Sequence, residues 1–255
     1  MIVLAAVAHP DDIEFMMAGT LLLLREAGAT IHLWNLANGC CGTETESREA
    51  IIRIRREEAA ASARLAGGVD HDPLFDDLGV FYDAPSLARV AAIVREIAPD
   101  IILTHSPNDY MEDHEAVCRL IATSAFARGM PHFPTEPARP VFRKPVRLYH
   151  ALPHGLRDGL GRLQQPDRLV EITGVLARKR GMLACHRSQK AWLDASQGMD
   201  AYLEEMEALC RAMGAISSGR FEFAEGFIRH NHLGFCPPEF DPLTDLLGRD
   251  RVLSF

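Results

Sequence analysis

Near its amino terminus the chain reads Ala8-His9-Pro10-Asp11-Asp12-Ile13-Glu14, an imidazole followed by two adjacent carboxylates. His9 and Asp12, three residues apart across a tight turn, can converge on one cation while Asp11 stays free to accept a proton. Zinc in hydrolases usually takes three protein ligands and keeps a position for water, so a third ligand must come from elsewhere. A second polar cluster, His105-Ser-Pro-Asn-Asp109-Tyr-Met111-Glu-Asp-His114, offers it. His114 is well placed as that ligand, with His105 and Asp109 behind it. Taken alone, Asp11 and Asp12 would also serve as N-capping carboxylates at the positive end of a helix.

Both clusters follow apolar runs, and those runs define the elements that must hold them. Residues 2–8 (IVLAAVA) read as a buried strand of a parallel sheet and residues 100–104 (DIILT) as the fourth strand. The clusters then lie at the carboxyl ends of strands 1 and 4, which are neighbours where the winding of a doubly wound sheet reverses and ligands bind. Between them the pattern predicts a buried helix over 13–27, a second strand over 30–37, a flexible loop from 38, a long amphipathic helix over 47–65, a third strand or extended loop over 74–80 and a helix over 86–97. A helix over 112–127 carries His114 in its first turn. Prolines 131, 134, 137, 140 and 145 disfavour helix and central strand, so 130–145 reads as a surface excursion, a lid or a connector. Strands over 146–152 and 168–172, helices over 173–185 and 199–213, and an irregular carboxyl-terminal extension from about 215 complete the expectation. The fold class is α/β, a Rossmann-like, mostly parallel sheet with helices on both faces. At 255 residues a single domain spanning 1–255 is expected.

Composition narrows the function classes. A formal net charge of −8 with no long Lys/Arg run argues against nucleic acid and suits a small neutral or cationic ligand. The six cysteines form no CxxC pair; adjacent Cys40 and Cys41 could form only a strained bridge and read as packing or loop chemistry. No signal peptide is expected, because Met1 leads straight into a strand, so a reducing cytoplasm is the economical location. The apolar residues 21–24 end at Arg25 and Glu26, far short of the ~18 a membrane span needs.

AHPDDIE followed about ninety residues later by HSPNDYMEDH resembles the LmbE/PIG-L family of zinc-dependent N-acetylglucosaminyl de-N-acetylases. The resemblance covers mainly residues 2–118, with fainter echoes in Arg56-Glu57-Glu58, His186-Arg-Ser-Gln189 and 225–229. It implies zinc, or another divalent metal, on His9, Asp12 and His114, Asp11 as general base, a small N-acylated amino sugar or conjugate as substrate, and homo-oligomers as common. Many members place a histidine where this chain has Met111, which cannot donate a hydrogen bond to an oxyanion. His105, His186 and His232 are the expected substitutes.

Other positions keep two readings. Of Arg55 and Arg56, one is expected to reach substrate and Arg56 is the choice, against a solvated helix face for both. His105 and Asp109 are further substrate-binding candidates, as are His186, against a cationic helix end, and His232, against an ordinary tail histidine. Glu225 and Arg229, four apart, could be a helical ion pair, and Trp34 and Trp192 read as core or interface. The function expected is zinc-dependent removal of an N-acetyl group from an amino sugar or glycoconjugate. The alternatives are an amidase of the same mechanism on a non-sugar N-acyl substrate, and a non-catalytic sugar- or nucleotide-binding module. The last is disfavoured because no glycine-rich phosphate fingerprint follows the first strand.

Overall fold

A computed structural model describes residues 1–190 and 201–255. The expected helix start at 199 and Trp192 lie outside the described residues. The frame is one eight-stranded sheet of order β3-β2-β1-β4-β5-β7-β6-β8. Its strands are β1 (Ile2–Val7), β2 (Thr30–Asn35), β3 (Val69–His71), β4 (Ile101–Thr104), β5 (Arg147–Ala151), β6 (Arg168–Glu171), β7 (Ala224–Arg229) and β8 (Val252–Ser254). The first five in spatial order run parallel and β7, β6 and β8 are joined by antiparallel pairing.

β1 is apolar on both faces because both are covered. Val3, Ala5 and Val7 enter one core with α1 (Asp12–Met16), α2 (Ala18–Glu26), α3 (Arg48–Ala66), α6 (Leu176–Leu183) and α7 (Ala201–Ile216). Leu4, Ala6 and Ala8 enter the other with Trp34, α4 (Ala84–Ile97) and α5 (Glu112–Phe126). β1 pairs with β2 on one side and β4 on the other, so the turns after β1 and β4 open into one crevice.

Several expectations change or are resolved. The helix expected over 13–27 is two, broken at Met17 (φ −147°, ψ 0°), because Glu225 draws the backbone N–H groups of Gly19 and Thr20 to its carboxylate. The third strand is Val69–His71, and residues 74–80 are loop apart from a bridge between Phe75 and Ala37. The segment from 215 is not irregular: it supplies β7 within the sheet, β8 at its edge and α8 (Pro242–Leu247). Glu225 and Arg229 therefore lie on a strand and do not pair; Arg229 meets Asp167. The proline-rich excursion is a connector, its carbonyls at Met130, Phe133 and Arg139 accepting from the Arg95 guanidinium.

Candidate metal centre and active site

The turn after β1 sets the centre. Asp11 has φ 112°, a left-handed conformation that strains a residue with a side chain and turns the carboxylates of Asp11 and Asp12 apart. Neither acts as the expected helix cap. Asp12 Oδ2 instead accepts from the His9 backbone N–H at 2.7 Å and lies 3.6 Å from His9 Nδ1 and 3.4 Å from His114 Nε2. His9, Asp12 and His114 each offer one ligand atom within 4.8 Å of the others, the donor set of a divalent cation.

Each imidazole is backed by a carboxylate. Asp113 Oδ2 sits 3.0 Å from His9 Nε2 and also accepts from the Leu78 N–H; Asp109 Oδ1 sits 3.0 Å from His114 Nδ1. Such partners fix the tautomer and aim the remaining nitrogen at a metal. Asp109 is thus behind His114 and does not line the cleft, contrary to its expected contact with substrate. Asp113 was not singled out by the sequence; its signal was its place beside His114.

The electrostatics suit a cation. Burial alone would lower the His9 pKa, but hydrogen bonds from its ring to the Asp113 and Asp12 carboxylates outweigh it and hold the ring at about 10. Burial also opposes a charged His114, yet Asp12 and Asp109 raise it. Burial pushes the Asp12 carboxyl up, and the His114 and His105 rings hold it well below the usual carboxylate range. Protons on the imidazoles balance the carboxylates, and a cation would displace them.

Asp11 has different neighbours. Its Oδ2 accepts from the Tyr202 hydroxyl at 2.7 Å and lies 3.5 Å from Arg55 Nη2. Burial raises its pKa and the Arg55 guanidinium moderates the rise. Arg55 also donates to the Pro10 carbonyl and is buried. Gly39 and Gly42 make room for it, since a Cβ at either would collide with its side chain. Arg56, the expected arginine, points elsewhere and pairs with Asp70 and Asp72. One helical position is a rotation of about 100°.

A cleft of about 460 Å³ lies over these groups; His9, Asp11, Asp12, Arg55, His114 and Tyr202 contribute to its wall. Met111 also lines it, so the departure from the family pattern faces the cleft. None of the three histidines expected to compensate does. His105 is fully buried, accepts from the Ala8 N–H through Nε2 and stacks on His114 at 3.9 Å. His186 is sealed against Glu14, 3.3 Å away. The His232 carbonyl caps the turn at Phe235 and Cys236, outside the cleft. The cleft's own donors beside His114 are Tyr110, edge-on to it at 5.5 Å, and His154, 6.3 Å from Tyr110. No sequence signal marked Tyr202 or His154.

The fainter echoes prove to be braces. Glu14 is bonded by Ser62 of α3, Ser188 binds both oxygens of Glu58, and Gln189 reaches the cleft wall.

Residues 4–125 match the family model described as GlcNAc-PI de-N-acetylase, PIG-L. That segment carries His9, Asp12 and His114. Beyond it, the chain is 27% identical over 194 residues to the 4-oxalmesaconate hydratase of Pseudomonas putida, covering 72% of each chain. It is 28% identical over 207 residues to a probable N-acetyl-alpha-D-glucosaminyl L-malate deacetylase 2 of Bacillus cereus, covering 73% of this chain and 83% of that one. The N,N'-diacetylchitobiose deacetylase of Pyrococcus horikoshii has the same fold as this chain, with a TM-score of 0.78 at 22% identity, over 95% of this chain and 88% of that one.

Proposed function

We propose that the protein is a metal-dependent amide hydrolase that removes an N-acetyl group from a small amino sugar or its conjugate. The observation that carries this reading is the convergence of His9, Asp12 and His114, with Asp11 beside them but outside that ligand set, in the wall of one cleft. Zinc suits two imidazoles and one carboxylate, and iron is a second fit. A divalent cation on these residues supplies Lewis acidity, making water easier to deprotonate and an amide carbonyl more electrophilic.

The protein groups do the rest. Asp11, its pKa raised by burial, takes a proton from the attacking water and returns it to the departing amine. Tyr202 and Arg55 hold its carboxylate in place. Tyr110, with His154 beyond it, is the donor for the carbonyl oxygen that Met111 cannot serve. Loss of such a donor costs ~10²-fold or more in kcat.

A hydratase is the second reading, favoured by the Pseudomonas putida relative. The charge of the cleft weighs against it. Asp11, Asp12, Asp77 and Glu205 line the wall against one arginine, Arg55, among the described residues. Even with a divalent cation bound, that wall carries no surplus of positive charge for an acid such as the hydratase's name denotes.

The deciding experiment incubates zinc-loaded protein with a panel of N-acetylhexosamines and their conjugates and measures acetate release. Release that is abolished by Asp11→Asn with zinc still bound supports the proposal. Hydration of an unsaturated carboxylic acid without acetate release from any amide would replace it.

A further inference from the structure

Cys40 and Cys41 take no part in the centre described above, yet the loop after β2 presents them with care. Asp77 accepts from the Gly39 N–H at 2.7 Å through Oδ1 and from the Cys41 N–H at 2.9 Å through Oδ2. Asn38 Oδ1 accepts from the Cys40 N–H at 3.1 Å. This clamp holds the two free thiols side by side, Sγ to Sγ 3.9 Å.

That spacing has a chemical meaning. Two sulfurs bound to one tetrahedral zinc at ~2.3 Å are separated by roughly 3.8 Å, the edge of the tetrahedron. Both sulfurs and an Asp77 carboxylate oxygen lie within 4.8 Å of one another, a span one ion can bridge. Cys41 is exposed, and Cys41, Gly42 and Asp77 form part of the cleft wall. Adjacent cysteines in a helix or strand would point apart; here a turn held from outside removes that obstacle.

We propose that Cys40, Cys41 and Asp77 form a second cation site at the cleft rim, for a thiophilic divalent ion such as Zn²⁺ or Cd²⁺, and that filling it closes the cleft to substrate. It shares no ligand with His9, Asp12 and His114, and sulfur selects softer ions than that oxygen and nitrogen set does. Binding converts two thiols to metal thiolates and releases two protons to solvent, with no change of oxidation state. Three protein ligands leave a fourth position for water. The closing half of the proposal rests on the deacylation proposed above; the binding half does not.

The test uses the reduced, full-length protein without oxygen, titrated with Cd²⁺. Two equivalents should bind per chain, one of them with the ultraviolet thiolate-to-cadmium charge-transfer band. The Cys40→Ser/Cys41→Ser double variant should lose that band and one equivalent, whereas His9→Ala should lose the other equivalent and keep the band. The single variants Cys40→Ala and Cys41→Ala, each weakening the band, give the same answer should the double variant not fold. A single equivalent in the unsubstituted protein, or a band that survives the double substitution, overturns the site. For closure, zinc at roughly ten times its Kd for the second site should lower acetate release about tenfold relative to the singly loaded protein. Equal inhibition of the double variant, relative to its own uninhibited rate, would overturn closure while leaving binding intact.

Discussion

Asp11 and Arg55 show how much a single residue's direction decides. Asp11 holds a left-handed backbone conformation, and its carboxylate is gripped by Tyr202 and Arg55. Arg55→Lys should cut kcat by roughly tenfold or more with zinc still bound, since an ammonium cannot reproduce the guanidinium's fork. Arg56→Ala, which loses only a half-exposed cluster with Asp70 and Asp72, should cost at most about 1 kcal/mol in urea unfolding and leave kcat alone. His9 binds its proton more tightly in the folded, cation-free protein than when unfolded, its pKa rising from 6.5 to about 10. The stabilisation is complete below pH 6.5 and is lost as pH rises through about 10. Calorimetry of metal-stripped protein should therefore show Tm falling across that window, and His9→Gln should flatten the fall. The grouping of His9, Asp12 and His114 was legible because ligand-type residues stand directly after two apolar runs that become neighbouring strands. Tyr202 and Asp113 were not, nor was the choice of Arg55 over Arg56, because their roles depend on where neighbouring elements point them.

Among the elements, uninterrupted apolar runs, the second of them short, announced β1 and β4, and with them the crevice. The break at Met17 was invisible, since its cause is remote in sequence: Glu225 on β7, 206 residues from Gly19, binds the Gly19 and Thr20 N–H groups and pairs with the fully buried Lys179 at 2.6 Å. That carboxylate fixes the start of α2 and hence the short α1 that carries Asp12. Glu225→Leu strips the buried Lys179 ammonium of its counter-charge, leaving it the Phe15 carbonyl, and removes the acceptor of two N–H groups; it should cost about 3–5 kcal/mol. Lys179→Met should cost less, because Glu225 keeps its two backbone donors. Urea midpoints of the two variants rank them, and the reverse order would remove Glu225 from this role.

At the scale of the molecule, the carboxyl-terminal forty residues close the sheet. β7 mixes Glu225 and Gly226 into its strand and pairs antiparallel with β5 and β6, so neither periodicity nor a βαβ rhythm revealed it. Stopping the chain after Ser217 should therefore abolish cooperative thermal unfolding and soluble expression, even though every proposed metal ligand is retained. Placement of β7 also orders events in time. Residues 147–151 and 168–171 cannot become sheet neighbours directly; each waits for 224–229 to arrive between them. Until those residues leave the ribosome, β5 presents an open edge, the condition that invites pairing with a foreign strand. Pulse-labelled hydrogen exchange during refolding should protect the amides of β1, β2 and β4 before those of β6 and β7. A cell making this protein has to shelter a half-built sheet until its last strands are translated.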